Sequence, residues 1–312
     1  MDLVRQRLAR RVGAFITVAL VLGLATLLLG IGVSLPGLTP GTAAAASVDL
    51  RGDRLEISGD ANADWLAVNR REGQFIIRAV RESVTLTTKS ADCDAAIPAA
   101  FARVRCPATG VELIDASMGS GNDYFLVKSG TLLPGPGSFD DRFGCYRRID
   151  LGATLKVSTG DGRDFAELSN RRDLLRGGAD RDHLYGCKGG DRIKGGAGPD
   201  LLSGDWDDDL LVGGRGRDLI VGCRYNPVDP RLLLSEAAGG DELRGGSGPD
   251  SLTGCQGVDD YRAGDGPDRL KTRDRLGEKV HCGGGNDVVV KSDPEDRLTV
   301  CEEQPAYRPF QP

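Results

Sequence analysis

The sequence predicts an all-β fold: a parallel β-roll, in which short strands stack in one direction, with an N-terminal β cap. Three observations predict it. Between Thr159 and Lys271 the chain repeats every nine residues, and three nonapeptides state the pattern without a break: GGAGPDLLS from Gly195, GGRGRDLIV from Gly213 and GGSGPDSLT from Gly245. Aspartate holds the sixth place in unit after unit, and an apolar residue holds the eighth, as in Leu175, Leu184, Ile193, Leu202, Leu211 and Ile220. Ahead of the array, short apolar stretches such as Leu55-Glu56-Ile57, Trp65-Leu66-Ala67-Val68, Phe75-Ile76-Ile77 and Val84-Thr85-Leu86 are separated by polar and glycine-containing sequence. That pattern marks strands.

The elements follow in order. Residues 1–46 open with Arg5, Arg7, Arg10 and Arg11, continue through an uncharged apolar run from Val12 to Leu35, and end in Ala43-Ala44-Ala45-Ala46. This reads as a secretory signal peptide. The run is long enough to span a bilayer, so an uncleaved membrane anchor is the alternative. Residues 47–117 read as the β cap, which covers a terminal coil that would otherwise invite edge pairing. Residues 118–158 form a transitional coil and loop: MGSGNDYFL from Met118 is one isolated unit, and Lys128 to Asp150, with Pro134-Gly135-Pro136-Gly137, is a surface loop. Residues 159–300 make the roll and residues 301–312 a C-terminal tail.

Within a unit, Gly-Gly-x-Gly-x-Asp makes a turn with positive-φ positions that glycine reaches without steric cost. The three residues that follow make a strand whose middle side chain points to a narrow core. Two units close one coil, so residues eighteen apart stack about 4.8 Å apart. Asp164, Asp182, Asp200 and Asp218 then line one edge, and Asp173, Asp191 and Asp209 line the other. The array breaks after Val221 but can be repaired. Gly222-Cys223 begins a unit like GCKGGDRIK (Gly186 to Lys194), and Arg224 to Ala238 stands where that unit has only Lys188. Read as a loop inserted into one turn, this stretch leaves the register intact. Asp241 and Asp259 then join the second column, and Asp250 and Asp268 the first.

Carboxylates at this spacing repel unless something positive lies between them. Calcium fits, because it takes six to eight hard oxygens and the turns offer carbonyls and carboxylates. The alternative is a metal-free roll, in which flanking arginines (Arg163, Arg181, Arg192, Arg217, Arg269) supply the counter-charge.

These residues resemble the RTX, or hemolysin-type calcium-binding, repeat family. The resemblance is direct for Thr159 to Lys271 and weaker on both sides, where CGGGNDVVV from Cys282 and KSDPEDRLT from Lys291 are eroded units. The ending, with a cysteine on each side of those units, is similar to secreted actinobacterial-type members. The resemblance implies a right-handed parallel β-roll, calcium in the turns and the eleven sixth-place aspartates as principal ligands. Asp180 stands at a fourth-place glycine, Asp205 at a second, and the unit from Leu168 lacks turn glycines.

Removing residues 1–46 takes away four arginines and one aspartate and moves the net charge from −6 to −9. Such an acidic chain is a poor nucleic-acid binder and a reasonable cation binder. All eight cysteines, Cys93, Cys106, Cys145, Cys187, Cys223, Cys255, Cys282 and Cys301, follow the leader; in an exported chain an even count argues for disulfides. With the loop in register, Cys223 and Cys255 share a place one coil apart, within bridging distance, while Cys187 lies two coils from Cys223. Cys93–Cys106 and Cys282–Cys301 are local clips, which leaves Cys145 for Cys187. No Gly-x-Ser-x-Gly, His-Glu-x-x-His or phosphate-loop motif occurs, and His183 and His281 are the only histidines, so no catalysis is expected. Two functions remain: a secreted calcium-folded structural protein, or a module that binds a cell-wall glycan or an extracellular protein on a largely metal-independent scaffold.

Overall fold

The computed structural model describes residues 45–80, 84–96, 102–127, 150–223, 239–272, 274–290 and 292–301. Every regular element among them is a strand, and the strands form two sheets of twelve. Short strands alternate between the sheets as the chain coils. In the first sheet Leu175 lies beside Ile193 and Ile193 beside Leu211; in the second Leu184 lies beside Leu202 and Leu202 beside Ile220. All these pairings are parallel, as a chain that advances one strand per coil requires. The eighth-place residues are fully buried between the sheets. Tyr261, Val280 and Val289 take the same inward place in the later coils.

The register passes through the insertion unchanged. Leu211 pairs with Leu243 and Ile220 with Leu252, each thirty-two positions on. Residues 224–238 themselves lie outside the described residues, as do 1–44, most of the 128–150 loop and 302–312.

Both sheets continue into the N-terminal segment. Arg54–Ser58 runs parallel to Leu113–Ser117, and Trp65–Arg71 parallel to Tyr124–Val127, so the first coil forms there. Beyond it the pairing turns mostly antiparallel. Ala45–Arg51 folds back on Arg54–Ser58, Gln74–Ala79 on Trp65–Arg71, and Arg103–Pro107 on Gln74–Ala79, with Asp94–Ala96 outermost. The Cys93–Cys106 bridge, with its Cα atoms 4.3 Å apart, fastens this edge. The strand Ala45–Arg51 begins ahead of residue 47, and Ala46 is 1 % exposed.

Candidate metal centre

Each turn needs glycine for two separate reasons. Gly196 (φ 126°) and Gly198 (φ 129°) lie in the left-handed region, where a side chain strains the backbone. Gly195 does not; it is glycine because there is no room. A Cβ there would come closer than 3.0 Å to Asp200 Oδ2 and to the Gly213 carbonyl oxygen of the next coil. The same crowding by a sixth-place carboxylate and the next coil's carbonyl recurs at Gly177, Gly186, Gly204, Gly213, Gly222 and Gly245. Where a single residue replaces a turn glycine the backbone is kept, whereas the glycine-free turn after Leu168 has no residue in the left-handed region. Asp180 (φ 72°), Cys187 (φ 84°) and Asp205 (φ 83°) adopt the left-handed conformation at their glycine places, which aspartate tolerates through local hydrogen bonding.

The sixth-place aspartates form two continuous ladders. In the first, the Asp164 N–H donates to Asp182 Oδ1 at 3.0 Å, Asp182 to Asp200 and Asp200 to Asp218 at 2.9 Å, and Asp218 to Asp250 and Asp250 to Asp268 at 2.8 Å. In the second, Asp173 donates to Asp191, Asp191 to Asp209, Asp209 to Asp241 and Asp241 to Asp259 at 2.7 to 2.9 Å. All eleven aspartates are buried, between 0 % and 4 % exposed. One carboxylate oxygen therefore ties adjacent coils together.

The other oxygen is free. Oδ2 of Asp164, Asp182, Asp191, Asp200, Asp209, Asp218, Asp250 and Asp268 has no hydrogen-bond partner. An uncompensated buried carboxylate is costly, so burial disfavours its charged form. Burial, reinforced by neighbouring ladder carboxylates, pushes Asp191 up to about 11, Asp209 to about 9 and Asp182 to about 8. Burial also lifts Asp200, Asp241 and Asp250 to about 7 and Asp259 to about 8, despite the backbone N–H each accepts. No ion pair among the described residues joins Arg163, Arg181, Arg192, Arg217 or Arg269 to a ladder carboxylate. The orphaned carboxylate oxygen, the carbonyl of the next coil and the space kept clear by glycine fit a hard cation with backbone-rich coordination. No group of three or more His, Cys, Asp or Glu side chains that could hold a metal ion converges among the described residues, so backbone carbonyls would supply much of the coordination.

Residues 158–186, 188–220 and 237–270 match the family model described as the RTX calcium-binding nonapeptide repeat (4 copies). These turns are RTX repeats. Repeats of this family bind Ca2+, so the roll is a calcium-binding structure. No curated protein and no solved structure matches the chain.

Three of the eleven aspartates differ from the open RTX turns. Asp173 Oδ2 accepts from the Ser169 N–H at 3.1 Å and the Ser169 hydroxyl at 2.7 Å, which fills the place of a cation with protein donors. Asp259 lies beside Tyr261, and no oxygen of Asp259 or Asp241 is among the orphans. The ladders also reach further than the repeat match. Asp64 donates to Asp123 Oδ1 and Asp123 to Asp164 Oδ1, both at 2.7 Å, while Asp268 donates to Asp287 Oδ1 at 2.9 Å. The second column ends on Glu278 and Asp296. Asp123 and Asp287 hold the sixth place of MGSGNDYFL and CGGGNDVVV, so their signal was present; Asp64 sits in GDANADWLA, which keeps only the first glycine.

Three disulfides stand where the spacing puts them. Cys223–Cys255 joins adjacent coils with Cα atoms 5.8 Å apart, and Cys282–Cys301 closes the C-terminal end at 4.9 Å. Cys187 pairs in register with Asp205, and Asp205 with Cys223, which places Cys187 two coils from Cys223. Cys187 is disulfide-bonded; Cys145 lies outside the described residues.

Proposed function

We propose that this is a secreted calcium-binding structural protein without catalysis, whose roll folds as it takes up extracellular Ca2+. The row of orphaned Oδ2 atoms carries the reading. Without metal, each is a buried oxygen with no partner. With calcium, ligation satisfies it, so folding and metal binding become coupled. Asp182, Asp191, Asp200, Asp209, Asp218 and Asp250, together with the carbonyls that face them, would hold the ions. Asp164 and Asp268 extend the set with a threonine and an alanine at the first place of their turns. The arginine-led apolar leader and the disulfides support export to an oxidising compartment. Calcium there suffices for sites with dissociation constants on the order of 10⁻⁴ to 10⁻³ M.

A glycan-binding role gains little from the aromatics. Trp65, Tyr124 and Phe165 stack on one another with ring centroids 4.9 and 4.7 Å apart, so both faces of Tyr124 are covered by its neighbours.

The test is a calcium titration of oxidised residues 45–312, followed by tryptophan fluorescence and far-UV circular dichroism. Trp206 lies in the turn that leads to Asp209 and should report locally. The expected result is a saturable gain of β signal with a raised melting temperature. A chain fully folded in chelator and indifferent to millimolar calcium would sink the coupling.

A further inference from the structure

The end of the second column leaves the nonapeptide pattern. After Lys271 the turn holds seven residues, Thr272 to Glu278, and glutamate stands in for the ladder aspartate. The family match stops at residue 270. Glu278 is 1 % exposed. Its Oε2 accepts the Asp259 N–H at 2.6 Å, as a ladder residue should. Its Oε1 has no hydrogen-bond partner, and its carboxyl lies within side-chain hydrogen-bond reach of Asp274. Asp274 is held in place, with Oδ2 accepting the Gly257 N–H at 3.0 Å and Oδ1 the Leu276 N–H at 2.9 Å. Asp259 adds a third negative charge nearby. The Tyr261 hydroxyl, which feels all three carboxylates, is fixed between the Gly254 N–H at 2.7 Å and the Lys271 carbonyl at 2.9 Å. No lysine or arginine forms an ion pair with Asp259, Asp274 or Glu278 among the described residues.

Two facing carboxylates, one of them closed to water, need a cation between them or a proton. We propose that Asp274 and Glu278 hold a divalent cation between their carboxylates, at a site built without the glycine cradle. The all-oxygen donors select a hard ion such as Ca2+, which completes its shell with carbonyls and water. Calcium in the RTX turns depends on the first-place glycines and this site does not, so the two readings can fail separately.

The experiment counts bound calcium by isothermal titration on the oxidised chain, comparing the wild type with Glu278→Gln, Asp274→Asn and Asp200→Asn. Terbium luminescence excited through the aromatics is read alongside, because Tyr261 lies next to the site. Gln at 278 can still accept the Asp259 N–H and can donate to Asp274, so the fold should survive; Asp274 is half-buried, and its Asn variant is the second route. The expected result is one calcium equivalent lost in Glu278→Gln and in Asp274→Asn, with a weaker terbium signal and the remaining equivalents intact. Unchanged stoichiometry in both variants, with equivalents lost only in Asp200→Asn, overturns this site alone and leaves a shared proton in its place. A wild-type chain that binds no calcium overturns it together with the calcium-coupled folding.

Discussion

Asp200 uses its two carboxylate oxygens for different tasks: Oδ1 accepts the Asp182 N–H, and Oδ2 is left for metal. Asp200→Asn keeps the first and removes the second. The asparagine amide would point at the Gly213 carbonyl and replace a repulsion with a hydrogen bond. The metal-free form should therefore gain about 1 kcal/mol, while calcium affinity at the adjoining turns falls roughly tenfold, about 1.4 kcal/mol. Melting in chelator and a calcium titration read the two opposite signs, and a loss of stability in both conditions would make Asp200 purely structural. Asp173→Asn should behave differently, because Ser169 already binds its Oδ2. Here the expected outcome is a loss of about 1 kcal/mol with or without calcium. The absence of turn glycines after Leu168 hinted at this exception, but only the structure shows serine in the vacated place. Asp64, Asp123 and Asp287 escaped the arithmetic of eighteens for another reason. They stand fifty-nine, forty-one and nineteen positions from their ladder neighbours, and period counting sees only uninterrupted coils.

At the scale of elements, the array was legible because each strand's partner is one coil away, so local sequence carries long-range pairing. That logic survived the 224–238 insertion, and the Cys223–Cys255 bridge records it. The bridge closes a separation of thirty-two positions, for which chain-entropy arguments give a stabilisation of roughly 3–4 kcal/mol. Replacing both cysteines with serine should lower the melting temperature by that measure while leaving coils on the N-terminal side calcium-responsive. A pair that melts like the wild type would mean the bridge contributes nothing. The N-terminal strands were legible only as strands. Pairings such as Phe75 with Cys106, or Ile77 with Val104, join segments that share no period, and sequence alone cannot choose their partners. The leader boundary is a similar case. The alanine run alone points to cleavage near Ala46, yet the Ala45 N–H donates to Asp60 Oδ2 at 3.0 Å and Ala46 is paired with Leu86 and buried. If the leader is removed on export, as proposed, mass spectrometry should find the new N-terminus at or ahead of Ala45. A chain starting at Ser47 would show that the strand forms without its first two residues.

For the molecule as a whole, two stacks of buried carboxylates make stability a function of pH and calcium together. Burial raises these groups from the ordinary 3.8 to about 6 for Asp173 and Asp268, about 7 for Asp200 and Asp250, and about 8 to 9 for Asp182 and Asp209. An acid whose folded value is raised binds more protons folded than unfolded. Its stabilisation is thus complete below about pH 4 and is lost as pH rises through the folded value. The metal-free roll should accordingly melt highest in mildly acidic buffer and lose stability steadily from pH 5 to 9. Calcium reverses the trend, because the ion needs the deprotonated oxygens and displaces their protons. In millimolar calcium the melting temperature should rise or stay level over the same range, and apparent calcium affinity should increase with pH. Titration calorimetry in buffers of different ionisation enthalpy would read the released protons directly. Binding without proton release, or a metal-free melting temperature that rises from pH 5 to 9, would mean the ladder carboxylates are already ionised and that something other than calcium balances their charge.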